Sequence, residues 1–210
     1  MTMKLFYAPG ACSLAAHIVL EEIGRPFEAV RLDLAAGDQR KPDYLALNPK
    51  GRVPLLVTDH GALTESVAIL THLALSAPEA NLLPADAWAR AQVLSALAWL
   101  SGTVHGQAFA SIFRPARFTD DPAAQETVKA KGRGDAIAHL ATMDAMLAGK
   151  DWMGGTFSIV DPYFLILRRW AIRIGVDVTA HAHLAAHAER LAARPAAARV
   201  LAREGIRIDA

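Results

Sequence analysis

The sequence holds one thiol, and it stands where thiol chemistry is easily arranged. In KLFYAPGACSLAAHIVLEEIG, Cys12 follows a strand-like run (Leu5 to Tyr7) and a Pro9-Gly10 turn, and an amphipathic helix pattern begins directly after it. N–H groups at a helix start and the positive end of its dipole favour a thiolate there, so a low-pKa sulfur is the expected chemistry. The competing role is that of a small buried hydrophobe, the usual one for a cysteine outside a disulfide. Two further stretches weigh on the choice. Val53-Pro54 opens the strand expected beside Cys12, and a cis bond there turns the Val53 N–H and C=O outward, where they can pair with an extended peptide. Thr64-Glu65-Ser66 is a turn running into a helix; its amides and the Ser66 hydroxyl suit a carboxylate, and Glu65 suits an ammonium. A thiol, a peptide-pairing edge and an amino-acid clamp describe a site for a thiol peptide.

The elements that must position these residues change period repeatedly over the first eighty or so residues. After the first helix, Phe27 to Leu34 reads as a second strand, followed by the polar loop AAGDQRKPD and a short helical piece ending at NPKG. Leu55 to Thr58 is a strand, Asp59-His60-Gly61 a hairpin turn, and Ala62-Leu63 the start of the partner strand. Glu65 to Ser76 is a helix with Val67, Leu70, Leu73 and Ala74 on one face. The order βαβ, loop, ββα is a compact mixed α/β domain over 1–80. The composition shifts near Asn81 to Ala85, a linker, and 86–210 reads as an all-helical domain. Its expected helices include Asp86 to Phe113 and Pro122 to Leu147, the second weakened by Gly132 and Gly134. Pro162 to Ile174 is apolar almost all round apart from Arg168, Arg169 and Arg173, so it belongs in the middle of a bundle. Ser158-Ile159-Val160-Asp161 before it has capping-box spacing: the serine hydroxyl accepts from the third helical amide and the aspartate reaches back to the serine amide.

Composition narrows the function classes. The chain has 210 residues, 53% of them hydrophobic, and a net charge of +1, so nothing points to nucleic acid or an anionic membrane surface. A single cysteine cannot form an internal disulfide and gives no sign of an oxidising compartment. Targeting signals and membrane-length apolar runs are absent, and a cytoplasmic protein is expected. His183 and His187 have the i, i+4 spacing of zinc ligands, but no carboxylate or thiol stands at ligand spacing with them, and no metal is expected.

Taken together, YAPGACSLAAHIVLEE, NPKGRVPLL, LTESVAIL, the TVH of the fourth helix, and FSIVDPY with the following Trp170 resemble the glutathione S-transferases, closest to the bacterial beta class. The matches run in family order from about Lys4 to the helix at Pro195. The resemblance implies a thioredoxin-like domain followed by an all-helical one, and glutathione as co-substrate. It implies that Cys12 faces the glutathione sulfur, that Val53 pairs with the peptide backbone, and that Glu65 and Ser66 hold the γ-glutamyl end. It further implies that Tyr7, Ser13, Arg52 and Pro54 line the same seat. His105 would come from the helical domain to the sulfur, where an imidazole can donate a hydrogen bond or shuttle a proton. Tyr7 and Ser13 compete as activators; Tyr7 also reads as a packed strand residue, and Ser13 as a helix cap.

The sequence departs from the family pattern in places. Only Arg40 or Lys41 stands near the lysine that often meets the glycyl carboxylate, Ala98 replaces a polar asparagine, and Gly106 follows His105 where a lysine is common. The expected activity is transfer of the glutathione sulfur to a small hydrophobic electrophile, with Phe109, Phe113 and Trp170 as pocket or core aromatics. Detoxification and a homodimer follow from the resemblance alone. Glutathione-dependent thiol exchange or peroxide reduction through Cys12, and a non-catalytic relative acting as an interaction module, are the alternatives.

Overall fold

The computed structural model describes residues 3–209. Its first half is a four-stranded sheet in the order β2-β1-β3-β4, built from β1 (Met3–Tyr7), β2 (Phe27–Arg31), β3 (Leu55–Thr58) and β4 (Gly61–Thr64). β1 pairs parallel with β2, with Leu5 opposite Ala29, and antiparallel with β3, with Leu5 opposite Leu56. A parallel pair needs a crossover, and α1 (Leu14–Ile23) supplies it. β2 stops at Arg31, short of the Leu34 expected from sequence: Asp33 accepts at Oδ1 from the amides of Ala35 and Ala36, so the chain turns instead of extending.

α1 buries every residue from Leu14 to Leu20, and Gly24 ends it in the left-handed conformation with its N–H on the Leu20 carbonyl. Burial of Leu14, Ile18, Val19 and Leu20 contributes about 1.5–3 kcal/mol each before chain entropy is set against it. A second apolar cluster, Leu32, Tyr44 and Leu55 with Phe6, Val53 and Val57 against it, ties α2 (Pro42–Leu47) to β1 and β3. α3 (Ser66–Ser76) completes this part, packed on α1.

The helical part comprises α4 (Ala87–Trp99), a π-helical segment (Leu100–Phe109) running into α5 (Ala110–Phe113), then α6 (Pro122–Met146), α7 (Asp161–Arg173), α8 (Ala182–Ala192) and α9 (Pro195–Glu204). The single helix expected from Asp86 to Phe113 is thus interrupted, and wider i→i+5 turns re-aim the side chains around His105. Gly106 fits the segment closely, since a Cβ there would lie 3.2 Å from the Ser101 carbonyl oxygen. Gly132 is likewise not a mere weakness in α6. Its missing Cβ would meet the Ala108 carbonyl oxygen and the Ser111 side chain, both at 2.7 Å, so the glycine is what lets α6 approach the preceding helix.

The chain divides into two compact units, and the division differs from the one expected at residues 80–86. The first runs to Leu83 and takes in Ala192–Arg207; the second is Pro84–Leu191 with the residues from Ile208 onward. α9, assigned to the helical domain on sequence, belongs to the sheet-bearing unit. Its buried face (Ala196, Ala197, Val200, Leu201) packs on α1, and Arg194 clasps Glu22 through Nε and Nη2 at 2.7 and 2.8 Å. A helical period shows that a helix has an apolar face, not which unit the face covers.

Within the second unit, Asp161 anchors the start of α7. Its Oδ2 accepts from the Ser158 N–H at 2.7 Å, the expected reach back to the serine amide. The other half of the box differs: the Ser158 hydroxyl donates to the same oxygen at 2.9 Å instead of accepting from a helical amide. Oδ1 accepts from the Met153 N–H and from His187 Nε2, each at 3.0 Å. His187, half of the zinc-like spacing, is therefore the buried partner of Asp161, and no group of three or more metal-ligating side chains occurs among the described residues.

Candidate functional site

The turn between β1 and α1 is closed by its own residues. The Ala11 N–H donates to the Ala8 carbonyl at 3.1 Å, and Gly10 takes the left-handed conformation (φ 70°) that a glycine adopts without strain. The Ser13 hydroxyl accepts from the Ala8 N–H at 3.1 Å and donates to the Ala8 carbonyl at 3.2 Å. Ser13 is fully buried and makes no side-chain cap, so the capping role expected for its hydroxyl is not the one it has; it locks the turn.

Cys12 stands at the top of this turn, 9% exposed, and its Sγ donates to the Val53 carbonyl at 3.4 Å. The expectation that the helix amides aim at the sulfur is corrected in part. The Leu14 and Ala15 N–H groups donate to the Ala11 and Cys12 carbonyls, because a tight turn before the helix brings those oxygens over its first amides. The Val53-Pro54 bond is cis. The Val53 carbonyl is taken by Cys12, while its N–H has no partner among the described residues. The thiol and the peptide-pairing edge are in direct contact.

Arg52 contributes its backbone: its carbonyl accepts from the Tyr44 hydroxyl at 2.6 Å and from Asn48 Nδ2 at 2.7 Å, which pins the entry to β3. Burial pushes the Tyr44 phenol above its ordinary pKa, so it stays a donor. Tyr7 lies inside the sheet with its ring 4.6 Å from that of His17, a packed strand residue. Of the two cations near the expected glycyl-carboxylate position, Lys41 is paired with Asp38 at 2.7 Å, and the pairing raises its pKa. Arg40 makes no ion pair among the described residues.

Glu65 adopts φ 72°, ψ 122°, a conformation that costs a residue with a Cβ about 1–3 kcal/mol. Its carbonyl accepts from the Ile69 N–H at 2.9 Å at the start of α3, and the Ser66 that follows is buried. Lys50, not singled out from sequence, donates to Glu65 Oε1 at 2.7 Å and to the Thr64 hydroxyl at 3.0 Å. The only available sign of it was its place in NPKG, which reads as a turn.

In the second unit, His105 lies on the π-helical segment. Its Nδ1 is 3.3 Å from the Tyr163 hydroxyl, which donates to Ser101 Oγ at 3.4 Å, and its ring stands edge-on to Trp170 at 4.8 Å. Phe109 and Phe113 pack against the same Trp170 at 5.5 and 5.7 Å.

A mixed four-stranded sheet with a thiol in its first turn and a cis-proline opening its third strand, joined to a helical unit, defines a thioredoxin-like protein with a helical extension. Residues 1–75 match the glutathione S-transferase N-terminal domain. The chain belongs to the glutathione S-transferase family. It is 38% identical to glutathione S-transferase GstA of Escherichia coli O157:H7 over 209 residues, 98% of this chain and all of that one. It is 36% identical to glutathione S-transferase GST-4.5 of Xanthomonas campestris pv. campestris over 97% of this chain and all of that one. Among solved structures, a glutathione transferase homologue from Sulfitobacter with bound glutathione superposes with a TM-score of 0.91 at 34% identity, covering 96% of this chain and 98% of that one. A bacterial beta class glutathione S-transferase from Sphingomonas chungbukensis does so with a TM-score of 0.84 at 36% identity, covering 97% of this chain and all of that one.

Proposed function

We propose that this chain is a glutathione transferase of the beta class that seats glutathione along Cys12, Val53 and Glu65-Ser66 and delivers its sulfur to a small apolar electrophile. The observation that carries the reading is the contact between Cys12 Sγ and the Val53 carbonyl, beside an unpaired Val53 N–H. A cysteinyl backbone pairing with Val53 as an added strand brings its own thiol to Cys12. Glu65 and Ser66 then meet the α-amino and α-carboxylate groups of the γ-glutamyl end, with Lys50 yielding Glu65 to the ammonium. Solved relatives described with bound glutathione support the same ligand. Cys12 orients the glutathione sulfur; in the second unit His105, held by Tyr163 and Trp170, is an imidazole able to donate a hydrogen bond or shuttle a proton. The reaction forms a carbon–sulfur bond to the electrophile while its leaving group departs and the thiol proton passes to solvent or base. A cytoplasmic homodimer with a detoxifying role is part of this reading. No helix among the described residues is long and apolar enough to cross a membrane.

Calorimetry with glutathione tests the seat, and absence of binding at about millimolar ligand sinks it. A Cys12→Ala variant then divides the chemistry. Conjugation of an aryl halide is expected to persist at a reduced rate, whereas exchange with mixed disulfides is lost. Complete loss of both makes Cys12 the nucleophile and overturns the orienting role.

A further inference from the structure

Glu204 has no part in the reading above, and its place breaks a local rule. It closes α9, where the negative end of the helix disfavours an anion. Its side chain is 0% exposed, although a buried carboxylate is costly unless its oxygens are satisfied. Both oxygens accept: Oε1 from His17 Nδ1 at 2.7 Å, and Oε2 from the Gly10 N–H at 2.9 Å. Arg203 Nη1 donates to His17 Nε2 at 3.2 Å; since a guanidinium has no acceptor, Nε2 accepts and Nδ1 is the nitrogen that donates to Glu204. Docking α9 on α1 does not require any of this, because apolar residues of similar volume serve as well as a buried polar group. The group that requires it is the Gly10 N–H, two residues before Cys12, which points into the protein.

The thiol turn is therefore gripped twice. Ser13 ties its ends together at Ala8, and Glu204 holds its middle from 194 residues away along the chain. We propose that Glu204, oriented by His17, is a positioning residue for the thiol site: by accepting the Gly10 N–H it sets the turn that carries Cys12, and with it the seat of the glutathione sulfur. The inference rests on the reading of that turn as the glutathione seat.

Glutathione binding measured by calorimetry in three variants tests it. Glu204→Met keeps the volume and offers Gly10 no acceptor, so the Kd is expected to rise about tenfold or more. Glu204→Gln keeps a carbonyl for the Gly10 N–H and donates to His17 Nδ1, which moves the ring proton to Nε2 and leaves Arg203 to its Glu21 pair, so the Kd is expected to stay within about threefold of wild type. Arg194→Ala loosens α9 without touching Gly10 and is expected to leave the Kd within the same limit. A Glu204→Met Kd near that of wild type overturns the proposal, as does an equal loss in Glu204→Gln or Arg194→Ala. If Glu204→Met does not fold, amide exchange in the wild type decides. The Gly10 N–H is expected to be protected about a hundredfold or more, and exchange at the open-chain rate overturns the proposal. A wild type that binds no glutathione sinks the seat alone. Alkylation of Cys12 by iodoacetamide then decides the positioning role, with faster reaction expected in Glu204→Met and equal rates overturning it.

Discussion

Glu204 in the first unit and Asp161 in the second are both buried carboxylates that accept from a histidine ring and from the backbone of a loop. They differ in where they stand. Asp161 opens its helix, where the dipole welcomes a negative charge, and three of its donors, Met153 N–H and the amide and hydroxyl of Ser158, lie within eight residues of it. Glu204 closes its helix, against the dipole, and its two donors come from the other end of the chain. The first arrangement is what a helix start asks for. The second makes sense only through what it holds, the turn before Cys12. A carboxylate that agrees with local rules points to folding, and one that violates them with full satisfaction points to the site.

Asp161→Ala should have the largest effect on stability. It strands the Ser158 and Met153 groups and the His187 N–H in the interior, with an expected loss on the order of 3–5 kcal/mol in urea unfolding. A loss below about 1 kcal/mol would mean that water replaces the carboxylate there, and the network would not be the anchor of α7. Gly132→Ala probes the same unit through packing alone. A Cβ 2.7 Å from a backbone oxygen forces α6 away from the preceding helix, with an expected cost of about 1–3 kcal/mol in thermal unfolding. No loss would show that the close approach has slack.

Two smaller effects sharpen the first unit's side. Glu65→Gly relieves a conformation unfavourable for a residue with a Cβ, so stability should rise by about 1 kcal/mol while glutathione affinity falls. A gain in stability with unchanged affinity would remove Glu65 from the seat. Arg194→Ala gives up a two-point ion pair at a partly exposed edge of α9 and should cost about 1 kcal/mol or less. A larger loss would mean that this clasp, and not the buried apolar face alone, holds α9 in the first unit.

Much of the site was legible in sequence because its signals are short. A cysteine after a Pro-Gly turn, a Val-Pro at a strand start and a Thr-Glu-Ser before a helix each announce themselves within a few residues. Their meeting could be inferred from strand order, and the contact of Cys12 with Val53 is that inference in atoms. What escaped notice has no local signature. Lys50 reads as part of a turn, Ser13 as a cap, and Gly132 as a weak spot in a helix, until the atom each one meets is known. The π-helical turn under His105 likewise leaves the apolar pattern of an ordinary helix nearly intact.

Legible in the sequence were most of the elements, the mixed α/β beginning and helical remainder, the thiol turn and the aspartate that opens α7. Those follow from backbone preference and periodicity, which act over a single turn or strand. Tertiary structure alone decided that α9 returns to the first unit, that His187 serves a carboxylate, and that Glu204 reaches the Gly10 amide. The physical reason is the same in each case. A buried polar group must find its partner wherever the fold brings one, and for Glu204 that partner is 194 residues away in sequence and 2.9 Å away in space.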